Sequence, residues 1–189
     1  SIFEGEEMLR DYIEQKPVLQ TQNLVLRELV PSDIPALKEW MPDPAIYTYW
    51  GKNAGKTDKN PELLFAKKDR KTKSFHWGIA GKENDKVIGE LWIYLIENDR
   101  MAKAALRIAT AFWGKGFGTE ALACAVKFCF SHTELKRIWT DVDVRNVGSC
   151  KMLEKCGFER EGRIRQGKMV NTWCDYYIYG ILRPDSKEE

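Results

Sequence analysis

With 189 residues, 43% of them apolar and 31% charged, the chain is long enough for one domain with a substantial core and too apolar to be a disordered polymer. A formal net charge of +2 excludes the overall basicity that marks a nucleic-acid binder, so no direct nucleic-acid site is expected. No run approaches the ~20 apolar residues of a membrane span, and the acidic start Ser1–Glu7 lacks a signal peptide's apolar centre.

Residues 3–15 carry Phe3, Met8, Leu9, Tyr12 and Ile13 on one stripe, which predicts an amphipathic helix ending at Pro17. That extension, residues 1–18, can pack on its own domain or on a second copy, which leaves room for a homodimer; residues 19–185 are expected to form one domain. Asn23 to Val30 alternates as a strand. Pro31-Ser32-Asp33 forms a turn and cap before a helix over Ile34 to Trp40. Residues 42–60 hold two prolines, two glycines and the aromatic cluster Tyr47, Tyr49 and Trp50, a loop or lid, and Pro61 to Arg70 opens a helix. Phe75–Ala80, Val87–Ile96 and Ala104–Ala109, separated by turn-like polar stretches, read as an antiparallel meander.

Leu122, Ala125, Val126, Cys129 and Phe130 then recur at helical spacing. Arg137 to Val144 is a strand with Ile138, Thr140, Val142 and Val144 on one face and Trp139, Asp141 and Asp143 on the other. Asn146 caps a short helix that ends at Gly157, and Phe158–Ile164 and Trp173–Leu182 are the last strands. The five cysteines are odd in number and include no Cys-x-x-Cys pair. With only His76 and His132 beside them, no metal site is expected. Cys124, Cys129, Cys150 and Cys156 fit small buried apolar positions, as in a protein of the reducing cytoplasm.

The most informative stretch is Trp113-Gly114-Lys115-Gly116-Phe117-Gly118-Thr119-Glu120, three glycines between an apolar strand and a periodic helix. Glycine brings backbone close to a ligand, and a helix start presents unpaired N–H groups and the positive end of its dipole, so the context suits a phosphate. The lysine is misplaced for a Walker A loop, the glycine spacing differs from a dinucleotide fingerprint, and a kinase glycine loop lies between two strands. A plain strand-to-helix turn is the alternative on this loop alone.

Downstream, Asn146-Val147-Gly148-Ser149 is followed by Leu153-Glu154-Lys155-Cys156-Gly157-Phe158. Together with the loop, this resembles the GNAT superfamily of acetyl-CoA-dependent N-acetyltransferases. Leu24-Val25-Leu26-Arg27 with Ser32-Asp33, and Trp173-x-Asp175-x-x-x-Tyr179, are similar to its ribosomal-protein N-terminal acetyltransferase branch. The likeness covers residues 19–183. It implies a mixed, largely antiparallel α/β sheet with helices on both faces, splayed between the strand before the glycine loop and the next strand. It also implies acetyl-CoA as cosubstrate. The backbone of Arg107, Ile108 and Ala109 would meet the pantetheine arm. The amides of Gly114, Lys115, Gly116, Phe117, Gly118 and Thr119 would hold the pyrophosphate, and Asn146 would contact the arm or cap its helix.

In such enzymes the amine attacks the thioester directly in a ternary complex. The resemblance assigns the carbonyl oxygen to a backbone N–H of Ile108 or Ala109 and the leaving thiolate to Ser149. Leu153 stands where many members place a tyrosine acid. Asp141, Asp143 and Glu90 are the carboxylates considered as base, each with a solvated or ion-paired role as its alternative. The acceptor would lie between the Tyr47/Tyr49/Trp50 loop and the stretch Arg165 to Trp173. A protein N-terminus, ribosomal or other, is the leading acceptor. A polyamine, aminoglycoside or amino acid, or a CoA sensor without turnover, are the alternatives. The lysines of residues 52–73 (Lys52, Lys56, Lys59, Lys67, Lys68, Lys71 and Lys73) read as a solvated basic face.

Overall fold

Phe75, Trp77 and Ile79 alternate with His76, Gly78 and Ala80, and this period of two sends the first set to one side of the sheet and the second to the other. In the computed structural model, which describes residues 12, 13, 15–50, 59–66 and 74–184, they form strand β3 (Phe75–Gly81) of an eight-stranded sheet. The other strands are β1 (Leu19–Gln20), β2 (Leu24–Arg27), β4 (Val87–Glu97), β5 (Met101–Ile108), β6 (Arg137–Asp143), β7 (Glu159–Met169) and β8 (Thr172–Leu182). Their order is β1-β2-β3-β4-β5-β6-β8-β7, and every neighbouring pair is antiparallel except β5 with β6. The helices are α1 (Ile34–Trp40), α2 (Glu62–Ala66), α3 (Phe117–His132) and α4 (Val147–Lys155).

The larger core joins α3 and α4 to the sheet. Phe75 stacks on Trp77 with ring centres 5.0 Å apart, and the Phe128 ring stands edge-on to both. Leu91, Ile93, Leu122, Ala125 and Cys129 complete this layer. A second cluster, Leu37, Trp40, Met41, Ile46 and Tyr47, packs with Ala80, Val87 and Ala109. The two clusters cover the sheet on both faces, as the resemblance implies. Glu120, in the first turn of α3, accepts hydrogen bonds from the Thr21 hydroxyl, the Asn23 backbone N–H (2.7 Å) and the Asn23 amide (3.0 Å), tying the helix start to the β1–β2 turn.

Several boundaries differ from the sequence expectation. β5 begins at Met101, three residues before the expected Ala104, because Met101–Lys103 is the segment that pairs with β6. β7 runs to Met169, past the expected end at Ile164, although almost every residue on it is exposed. Its pairing with β8 breaks at Arg160/Gly162 and at Ile164/Gly167. The loop 42–60 contains a 3-10 turn at Pro44–Tyr47, and its residues 51–58 lie outside the described residues. So do residues 67–70 of the helix expected over Pro61 to Arg70, every lysine of the 52–73 group except Lys59, and most of the 3–15 helix. Tyr12, which is helical, packs edge-on to Phe128 at 5.0 Å.

Candidate active site

The turn entering α3 is built from glycines in the left-handed region. Gly114 has φ +73° and Gly116, the N-cap, φ +79°, and a Cβ added at either meets no atom within 4 Å. The glycines therefore answer a backbone requirement and leave open space in front of the loop. Among the described residues no side chain caps α3, so its first-turn amides, which have no acceptor within the helix, face that space with the positive end of a 16-residue helix behind them. This cradle fits a pyrophosphate. Gly118 is small for another reason, since a Cβ there stands 2.8 Å from Met152 Sδ. Lys115 Nζ lies over the Phe112 ring at 5.2 Å. Trp113 Nε1 donates to the Ile108 carbonyl at 2.7 Å and anchors the loop on β5.

Behind the loop the sheet splays. β5 and β6 pair in parallel only through Met101–Lys103 with Arg137–Trp139 and then part, so among the described residues Ala104–Ile108 has no strand partner on that side. The Ala109 N–H is donated to the Ile88 carbonyl at 2.8 Å. Alternation along an antiparallel ladder then turns the Arg107 peptide toward β4 and the Leu106 and Ile108 peptides into the cleft. Of the two amides expected at the thioester carbonyl, Ala109 is committed to β4, whereas alternation turns the Ile108 amide to the other side of β5. On the side away from β4, the backbone edge of β5 is thus formed by Leu106 and Ile108, the Ile108 carbonyl being taken by Trp113, whereas Arg107 contributes a buried side chain.

The splay opens a cavity of about 760 Å³. Its floor includes Ala105, Leu106, Thr140 and Val142. One wall carries Asn146, Ser149, Met152 and Leu153, and the other Tyr49, Trp50, His76 and Trp92, with Met169 and Val170 of the β7–β8 hairpin at the rim. The aromatic loop and the late hairpin do face each other. Asn146 accepts from the Ser149 N–H at 3.2 Å as the cap of α4. The Ser149 hydroxyl has no hydrogen bond among the described residues and stands on the cavity wall. Leu153 is buried beside it and offers no hydroxyl.

Two of the carboxylates considered as base are bound to arginines. Asp143 is buried, does not line the cavity, and accepts from Arg145 Nε (2.9 Å), Nη2 (2.6 Å) and N (2.9 Å), which holds its carboxyl below the usual range and organises the β6–α4 turn. Arg145 also lies over the Tyr49 ring at 5.4 Å. Glu90 is fully buried. It accepts from Arg107 Nε at 2.6 Å and is ion-paired with Arg107 Nη2 through the same oxygen, while Oε1 lies 2.9 Å from His76 Nε2. Burial works against its charge, but the His76 bond and the Arg107 cation outweigh it and keep the carboxyl below its ordinary value. Asp141 does line the cavity, 2.9 Å from Lys103 Nζ.

Sequence reasoning missed the partners. Arg107 is enclosed by the rings of Trp40, Tyr47, Trp50 and Trp92 at 5.2 to 5.8 Å, and its Nη1 donates to the Tyr47 hydroxyl at 2.7 Å, which in turn donates to the Met41 carbonyl at 2.7 Å. An isolated Glu90 in an apolar strand was the visible signal of such a network; its members lie far apart in the chain. Burial pushes the Cys156 thiol up to about 11 and Cys129 higher still, so these two sulfurs are poor nucleophiles.

A nucleotide-type cradle beside a splayed, largely antiparallel sheet defines an acyl-CoA-dependent acetyltransferase architecture. Residues 23–159 match the acetyltransferase (GNAT) domain model, and the chain belongs to that family as an acetyl-CoA-dependent N-acetyltransferase. It is 28% identical over 173 residues to the uncharacterised N-acetyltransferase YoaA of Bacillus subtilis, covering 89% of this chain and 98% of the relative. Among solved structures it superposes on ribosomal-protein-S5-alanine acetyltransferase of Vibrio fischeri with a TM-score of 0.76 (20% identity, 92% of this chain and 100% of the other). It also superposes on spermidine N-acetyltransferase of Vibrio cholerae, solved with CoA and spermine, with a TM-score of 0.73 (24% identity, 86% and 97%). Both likenesses are of fold. Among the described residues no helix is long and apolar enough to cross a membrane.

Proposed function

We propose that the enzyme acetylates the N-terminal amine of a protein or peptide. The observation that carries this reading is the charge balance of the cavity. Asp141 is paired with Lys103, and Glu90, behind the wall, with Arg107. Among the described lining residues no carboxylate is left to meet a polyamine or aminoglycoside, whose several ammonium groups need counter-charges. The mouth between Tyr49 and Trp50 on one side and Met169 and Val170 on the other instead offers apolar and aromatic surface to one amine with a short chain behind it.

In this reading the amides of residues 114–119 hold the pyrophosphate, the open peptide of Leu106 meets the pantetheine arm, and Asn146 orients it from the start of α4. The cosubstrate supplies an activated thioester. The Ile108 N–H stabilises the charge that develops on the carbonyl oxygen, and Ser149 faces the departing sulfur as proton donor. Attack is direct, with both substrates bound together.

The test is thiol release from acetyl-CoA with three acceptors: a hexapeptide with a free alanine amine, spermidine, and kanamycin. Turnover of the peptide above the other two is expected. Preferential turnover of spermidine or kanamycin overturns the acceptor assignment.

A further inference from the structure

We propose that His76 is the proton acceptor of the transfer reaction, taking the amine's proton on Nδ1, with Glu90 and Arg107 as positioning residues that fix its ring and tautomer. The proposal builds on amine acetylation in this cavity but not on which amine is used. His76 Nε2 lies 2.9 Å from Glu90 Oε1, and the other Glu90 oxygen is held by Arg107. A carboxylate so paired accepts hydrogen bonds only, so Nε2 carries the hydrogen and Nδ1 the lone pair. Nδ1 has no partner among the described residues, and the His76 side chain, 28% exposed, lies on the cavity wall. The ring is stacked on Trp92, centres 4.9 Å apart and planes 11° from parallel, which resists rotation away from the cavity.

The surrounding groups leave few rivals. Among the described residues, the titratable and charged groups near His76 are Glu90 from β4, Arg107 from β5 and Tyr47 from the 3-10 turn, with Lys103, Tyr94 and Asp141 along the same cavity. Among the described lining residues, His76 carries the one imidazole, the indole nitrogens of Trp50 and Trp92 being donors only, and the one carboxylate, Asp141, is already held by Lys103. Arg107 gives the arrangement its sense. By keeping Glu90 ionised, it leaves the transferred proton on the imidazole, and the resulting imidazolium faces a carboxylate. As the amine nitrogen bonds to the acetyl carbon and the C–S bond breaks with its electron pair on sulfur, the amine proton passes to Nδ1. It is later lost to water, and the thiolate, accepting a hydrogen bond from Ser149, takes its proton from solvent, through the Ser149 hydroxyl or directly, so that the serine ends protonated.

The chain has two histidines, so isotope-labelled histidine gives two ring spectra, and His132→Gln assigns them. His76 is expected as the Nε2–H tautomer at about pH 8. An Nδ1–H tautomer overturns the proposal whichever amine is the acceptor. Kinetics use acetyl-CoA with the alanine hexapeptide, spermidine and kanamycin. In His76→Gln, whose amide can keep the bond to Glu90, kcat/KM should fall about 10²–10⁴-fold and lose the acid limb of its pH profile. CoA affinity by calorimetry should be unchanged, and His132→Gln should keep the wild-type profile. A His76→Gln enzyme within about threefold of wild type, with the acid limb intact, overturns the proposal. Turnover confined to spermidine or kanamycin refutes the peptide reading alone, and the His76 comparison is then read on that amine. If none of the three turns over, the tautomer decides.

Discussion

Lys103 Nζ stands 2.9 Å from Asp141 Oδ1 just where β5 and β6 part, Lys103 belonging to the last register pair and Asp141 lying two residues beyond its partner Trp139. Lys103 also lies over the Trp139 ring at 5.0 Å, and its side chain is only 12% exposed. The pair closes the base of the cleft. Asp141→Asn leaves an ammonium largely out of water and should cost about 1–2 kcal/mol in urea unfolding, more than a surface pair is worth. A double-mutant cycle with Lys103→Met should return a favourable coupling of about 1 kcal/mol.

Gly116→Val tests the cradle. A β-branched residue at φ +79° is strained and puts its side chain into the open space before α3. CoA binding by calorimetry should weaken by at least about 100-fold, with a stability loss of about 1–3 kcal/mol. Unchanged affinity would refute the placement of the pyrophosphate.

Gly118→Ala should behave differently two residues away. Its Cβ would meet the end of the Met152 side chain at 2.8 Å, a contact that a flexible thioether can partly relieve. A loss of about 1 kcal/mol is expected in thermal unfolding, with a positive coupling to Met152→Ala, because the conflict is packing and not strain.

Ser149→Ala should lower kcat about 10–100-fold while CoA affinity stays the same, if the hydroxyl serves the thiolate. The backbone bond from Ser149 to Asn146 survives the substitution, so α4 keeps its cap. An unaltered rate returns Ser149 to an ordinary first-turn position.

Arg107→Met removes the cation from a buried carboxylate and should destabilise the fold by about 3–5 kcal/mol at neutral pH. The pH dependence carries the sign. In the wild type the folded Glu90 carboxyl titrates below its ordinary 4.5, so its stabilisation is present above that value and is lost as pH falls toward the folded one. Without Arg107 the burial penalty is no longer offset by that cation. The variant should therefore lose less relative to wild type at about pH 4 than at pH 7, as read from unfolding midpoints across that range.

Much of this architecture was legible along the chain, because local chemistry sets it. The period of two through Phe75, Trp77 and Ile79, the Asn146 cap and the run Gly114–Gly118 before a periodic helix each constrain the backbone within a few residues, and the resemblance built on them identified the family. The sequence pattern leaves β7 short because its exposed residues carry no apolar alternation; pairing with β8, not burial, extends it. The pairings at the site could not be read. Glu90, Arg107, His76 and Tyr47 lie on three strands and a turn, and nothing in their spacing says that two carboxylate oxygens will be shared between a guanidinium and an imidazole. Likewise, Asp141 and Asp143 share a strand face in the sequence pattern, yet one reaches the cavity and the other is locked by Arg145. Periodicity decides which side of a strand a residue takes. Which charge meets which depends on how the sheet brings distant strands together and on the water excluded when they close.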